Sequence, residues 1–134
     1  METNIRLRGL VEGEARGPLL VRPEPISFYG EVDPETGALY GTGASVAGKI
    51  LVTKGSRGST VGPYILYALA KNGKKPLGIV VTKAEPLLVA GAVMAEIPLA
   101  EGLPESLLAQ LAGQNCTAVL RVEPPEATLM VKCD

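Results

Sequence analysis

Lys49-Ile-Leu-Val-Thr-Lys-Gly-Ser-Arg-Gly-Ser-Thr-Val-Gly-Pro-Tyr64 is the stretch on which the fold turns. Lys49-Ile-Leu-Val-Thr-Lys54 is a short apolar run rich in β-branched residues, the pattern of a buried strand. Gly55-Ser-Arg-Gly-Ser-Thr60 breaks that run with a tight loop. Apolar residues at Val61, Ile65, Leu66, Ala68 and Leu69 then recur at helical spacing. Ser59 or Thr60 can cap this helix, Pro63 suits its first turn, and Asn72-Gly73 stops it.

The alternation continues outward. Gly78 to Thr82 reads as a second buried strand. Pro86 opens a helix to about Ala95, apolar nearly all round and therefore expected to be buried. Ile97 to Ala100 is a short strand, and Pro104 starts a third helix carrying Leu107, Leu108 and Leu111, ended by Gly113. Both ends of the chain are β. Ile5 to Val21 reads as two strands punctuated by Gly13, a β-hairpin or a β-turn-β segment. Thr117 to Val122 and Ala127 to Cys133 alternate around a Glu123-Pro-Pro-Glu turn. Asp33-Pro-Glu-Thr-Gly37 is a turn, and the glycine-rich Leu39 to Ser45 is irregular. No segment is polar and long enough to be a linker, so residues 1–134 are expected to form one α/β domain of three layers.

Composition removes several functions. Lys and Arg number 13 against 14 Asp and Glu, so no net field draws nucleic acid or an anionic membrane. Histidine is absent, which excludes Ser-His-Asp and Cys-His catalysis and every His-containing metal site. One Phe and four Tyr make no stacking platform for single strands. Cys116 and Cys133 are too few for a four-ligand zinc or iron–sulfur site. The first residues lack a basic segment followed by an apolar one, so both cysteines are expected as free thiols in a soluble, cytoplasmic protein. Cys116 reads as a small core residue and Cys133 as incidental.

Chemistry concentrates in Lys54-Gly-Ser-Arg-Gly-Ser-Thr60. Glycines let the backbone approach a ligand, and a helix start offers unpaired N–H groups to an anion. Arg57 adds a planar, bidentate donor for carboxylate or phosphate. Ser56, Ser59 and Thr60 supply hydroxyls. The spacing is neither that of a Walker A loop nor of a dinucleotide fingerprint. An ordinary Gly/Ser turn with a capping hydroxyl accounts for the same residues equally well. Without histidine, a serine here needs cations, helix N–H groups or a partner's metal site to activate it. Lys49 reads as a strand-edge lysine, and Asp33 and Glu35 as turn residues.

Three segments in order carry a resemblance: Phe28-Tyr-Gly-Glu-Val-Asp-Pro-Glu-Thr-Gly37, Ser45-Val-Ala-Gly-Lys-Ile-Leu-Val52 and Gly55-Ser-Arg-Gly-Ser-Thr60. With the Tyr64-Ile-Leu-Tyr-Ala-Leu helix, the Pro76-Leu-Gly-Ile-Val-Val strand, Glu85 to Ala95 and Ile97-Pro98, they cover nearly the whole chain. Together they resemble the small subunits of aconitase X. The resemblance implies a swivelling β/β/α domain like the small domain of aconitase. It implies a heterodimer with an aconitase X-type large subunit that carries a 4Fe–4S cluster, with no cofactor or metal bound by this chain alone. It implies a hydro-lyase, active only with that partner, acting on a small phosphorylated hydroxy acid. In archaeal members the substrate is phosphomevalonate and the product trans-anhydromevalonate phosphate. The proton acceptor of the family falls on Ser59. Arg57, Ser56, Gly58 and Thr60 are then the substrate-binding candidates, and Lys54 a weaker one. Two alternatives stand beside this: another aconitase X enzyme such as cis-3-hydroxy-L-proline dehydratase, or a non-catalytic anion-binding swivelling domain.

Overall fold

The computed structural model describes residues 2–57 and 62–134. Four parallel strands frame it: β2 (Gly13–Arg22), β3 (Ile50–Thr53), β4 (Gly78–Val81) and β5 (Leu99–Glu101). Their register sets Arg22, Thr53, Val81 and Glu101 side by side at one edge. β1 (Glu2–Val11), β6 (Cys116–Glu123) and β7 (Glu126–Cys133) complete a closed barrel in the order β1-β5-β4-β3-β2-β6-β7.

Every residue of β3 and β4 is buried, because these strands have apolar neighbours on both faces. Ile50, Val52, Val80 and Ala100 point into the barrel and meet Ile5, Leu7, Leu120 and Leu129. Leu108 and Leu111 of α4 (Glu105–Leu111) join this barrel core. Leu51, Ile79, Val81 and Leu99 point the other way, onto α2 (Gly62–Lys71) and α3 (Pro86–Ala95). A β layer, a central β layer and a helical layer result, which is the expected β/β/α arrangement. Gly91 lets α2 and α3 meet closely, since a Cβ there would lie 2.8 Å from Leu66 Cδ1 and 3.0 Å from Pro63 Cα. Among the described residues no helix is long and apolar enough to cross a membrane.

Four expectations need correction. β1 and β2 form no hairpin with each other: β1 pairs with β5 and β7, and β2 with β3 and β6. Glu12 alone separates them, too short a loop to close a hairpin ladder. The chain instead turns a corner at Gly13, where a Cβ would lie 2.6 Å from Pro98 Cγ. The alternation in Ile5 to Val21 specifies which side chains face inward, not which strand is the neighbour.

α3 is not buried all round. Leu88, Gly91, Ala92 and Ala95 face the core, while Leu87 (40%), Val93 (59%) and Met94 (45%) stand exposed. An all-apolar helix carries no stripe from which its inner face can be read.

The cysteines are not free thiols. Cys116 and Cys133 lie opposite one another in the β6–β7 ladder and form a disulfide, with Cα atoms 4.1 Å apart. Both are buried, so Cys133 is not incidental. The hairpin register brings them together, and no compartment argument could have revealed that.

A one-turn helix, α1 (Phe28–Glu31), was not anticipated, being too short to show periodicity. Ser27 Oγ accepts the Gly30 N–H at 3.4 Å, and the Glu31 carboxylate accepts the Ser27 N–H at 2.6 Å. The pair acts as a reciprocal cap that suits a single turn. The Asp33 turn is as expected, with Asp33 Oδ1 accepting the Glu35 N–H at 2.9 Å.

Candidate functional site

The site is built beyond the carboxyl ends of the parallel strands β2 and β3. Beyond those ends, backbone pairing carries on. Thr53 Oγ1 donates to the Glu24 carbonyl at 2.7 Å, which pins the chain leaving β2 against the end of β3. Ile26 N–H then donates to the Gly55 carbonyl, and Arg57 N–H to the Ile26 carbonyl, each at 2.9 Å. Ile26 thus bridges Ser56 in parallel, and α1 is laid beside the loop. Gly55 permits this route, since a Cβ there would lie 2.8 Å from the Lys83 carbonyl oxygen.

Ser56 and Arg57 are brought together on the wall of a cleft that Phe28, Tyr29, Glu85 and Leu87 also line. The enclosed space is about 20 Å³, roughly room for one water molecule.

Arg57 is presented rather than locked. Its side chain is 61% exposed, and its Nη2 stands 3.6 Å from Glu31 Oε2. Its Nε donates to the Pro25 carbonyl at 3.4 Å, a long contact. With its side chain mostly exposed, the guanidinium can take a carboxylate or phosphate bidentately.

Glu31 is a site residue that sequence reading missed. Its Oε1 accepts from Arg22 Nη2, and its Oε2 accepts from the Ser27 N–H. Partial burial alone would push its carboxyl up; the Ser27 N–H, then Arg22 and Arg57, outweigh that and hold it below the ordinary glutamate range. Its partners come from the end of β2 and from the loop after β3, so no local spacing marks it.

The remaining candidates divide. Lys54 Nζ is 2.9 Å from Glu105 Oε1, so it faces α4 and does not join Arg57. Lys49 adjoins β3, as expected of a strand-edge residue. Gly58, Ser59 and Thr60 lie outside the described residues. The resemblance implies an iron–sulfur cluster, and the residues present do not fit one. The two cysteines are bonded to each other, and among the described residues no group of three or more His, Cys, Asp or Glu stands together to hold a metal ion.

Comparison with known proteins gives a consistent picture. A family model described as the aconitase X swivel domain matches residues 4–131. The chain is 54% identical over 99 residues to the phosphomevalonate dehydratase small subunit of Aeropyrum pernix, covering 74% of each chain. It is 42% identical over 116 residues to the subunit of that name from Methanothermobacter thermautotrophicus, covering 83% of this chain and 87% of the relative. In three dimensions it is similar to the crystal structure of Thermococcus kodakaraensis aconitase X in its holo-form. There the TM-score is 0.83 at 35% identity, over 95% of this chain and 98% of the other.

Proposed function

The chain belongs to the aconitase X swivel domain family, and on that footing we propose that it is the small subunit of a two-chain dehydratase acting on phosphomevalonate. The product is trans-anhydromevalonate phosphate, formed by loss of water. The observation that carries this reading is the state of Arg57: mostly exposed, loosely held, and set at the strand ends on the wall of a cleft that is open on one side. Such a half-site needs a second surface to complete it. The names borne by the relatives support the substrate and the existence of a larger partner.

In this reading Ser59 is the proton acceptor. As an alkoxide it takes the proton α to the substrate carboxylate. The C–H pair becomes the new double bond while the hydroxyl on the adjacent carbon departs with its bonding pair. A serine alkoxide is scarce at neutral pH. Cations, helix N–H groups and exclusion of water shift that balance. Arg57 binds an anionic group of the substrate, and Ser56, Gly58 and Thr60 are further substrate-binding residues in this reading. We place the iron–sulfur cluster on the large subunit, because this chain has no cysteine to offer it. The large subunit covers the cleft and continues onto the exposed side of α3. Leu87 belongs to both surfaces, and α3 carries no charged residue. Residues 1–134 act as one swivelling domain in the cytoplasm.

The test is co-purification with the large subunit, followed by dehydration assays on phosphomevalonate and on cis-3-hydroxy-L-proline. Turnover of the first and not the second is expected. In the same complex Ser59→Ala should lower turnover by about 10²–10⁴-fold, the usual reach of a positioned base. Near-normal turnover by an assembled Ser59→Ala complex would leave an anion-binding domain with a capping serine.

A further inference from the structure

We propose that Glu31 is the positioning residue for Arg57, holding the guanidinium along the cleft wall until the substrate's anion takes over its free donors. The proposal rests on the reading of Arg57 as the substrate cation.

The contacts divide unevenly. Glu31 is fixed from two sides, by Arg22 on Oε1 and by the Ser27 N–H, 2.6 Å away, on Oε2. Arg22 in turn has Glu24 Oε2 at 3.5 Å from its Nε and sits at the carboxyl end of β2. The carboxylate is therefore anchored to the sheet and to α1 independently of Arg57. Arg57, by contrast, stands 3.6 Å from Oε2, beyond hydrogen-bond range but well within reach of charge attraction. A rigid anion close to a loosely held cation narrows the cation's rotamers without occupying its donors. That lowers the entropy that ordering an arginine costs when it binds. An oxyanion in the cleft can offer the shorter, bidentate contact that Glu31 does not. Full pairing would have made Arg57 unavailable, and no partner at all would have left it to wander.

Glu31 keeps its charge throughout the neutral range, since its carboxyl lies below ordinary glutamate. The groups facing it are Arg22, Arg57 and the Ser27 N–H, all of which favour the anion.

A mutant cycle on the complex with its large subunit tests this, with phosphomevalonate as substrate. Arg57→Ala should raise KM by about 10–100-fold, the size of a lost charge-assisted contact. Glu31→Gln should raise KM by about 3–10-fold with kcat within about twofold, the split that follows when ground-state and transition-state binding weaken together. The Glu31→Gln effect should vanish in the Arg57→Ala background. A merely structural role would raise KM equally with and without Arg57, and that result overturns the proposal. So does unchanged KM in Glu31→Gln while Arg57→Ala is impaired, a result that leaves Arg57 as substrate cation. An unchanged KM in Arg57→Ala removes that underlying reading, and Glu31's role with it. If Glu31→Gln fails to assemble, Glu31→Asp runs the same cycle: it retains the charge for Arg22 and withdraws the carboxylate from Arg57 by one methylene.

Discussion

The two outer faces of the molecule treat water differently. On the β side, β1, β6 and β7 alternate with strict period: Ile5, Leu7, Leu120, Val122, Leu129 and Val131 point inward. Arg6, Arg8, Arg121, Glu123, Glu126 and Lys132 point out. On the helical side α2 and α3 expose the large apolar side chains of Tyr64, Tyr67, Leu87, Val93 and Met94, and the two helices together carry one charge, Lys71. The β face is studded with charges, with Val119 and Met130 half-buried among them; the helical face is nearly bare of them. Stability and function are accordingly expected to reside on different sides of the same chain.

The sharpest way to break that contrast is a core truncation. Leu120→Ala, inside the barrel, should destabilise the chain by about 2–5 kcal/mol in urea or thermal unfolding. Complex that remains folded should keep its KM, and a changed KM would show that the two sides are coupled. Next in size is a charge on the helical face. Leu87→Asp should weaken association with the large subunit at least about tenfold, while the melting temperature of the isolated chain stays put. Undiminished co-purification would mean that the exposed side of α3 faces solvent in the complex as well. The smallest effect is acid sensitivity at the junction of the two sides. Glu31 has a depressed carboxyl in the folded state. Its contribution is therefore present above the ordinary glutamate range and lost as pH falls through the folded value. An unfolding series from neutral to acid should show a shallower decline for Glu31→Gln than for the parent; identical slopes would show that Glu31 is not held by its arginines.

Much of this was legible beforehand, for identifiable reasons. Buried parallel strands announce themselves as unbroken apolar runs, so β3 and β4 are placed, to within a residue at each end, from Lys49 to Lys54 and Gly78 to Thr82. Turn chemistry fixed Asp33 to Gly37. The helix after the loop was bounded by Pro63 and Asn72-Gly73. What stayed hidden was everything decided by neighbours distant in sequence. Strand alternation does not say who pairs with whom, which is why Ile5 to Val21 reads equally as a hairpin or as two strands joined by a turn, and only the second holds. An apolar helix does not say which side it turns to water, which is why α3 was placed wholly in the core. Cys116 and Cys133 meet only through the β6–β7 register. In the candidate site, Arg57 was readable from its loop. Glu31 was not, because Arg22, Ser27 and Arg57 reach it from three separate segments.

The corner at Gly13 has a consequence in time. β1 and β2 are the first strands to leave the ribosome, yet the strands that fill the gap between them, β6 and β7, are the last. Until residues 116–133 have been synthesised, β1 lacks its β7 partner and β2 its β6 partner, and both present unsatisfied strand edges. Closing the barrel pairs β1 with β7, a contact of long sequence separation and of the slowest kind to form. The C-terminal hairpin is thus the keystone: the parallel sheet can assemble around its own helices early, but the barrel seals only when the last strand arrives.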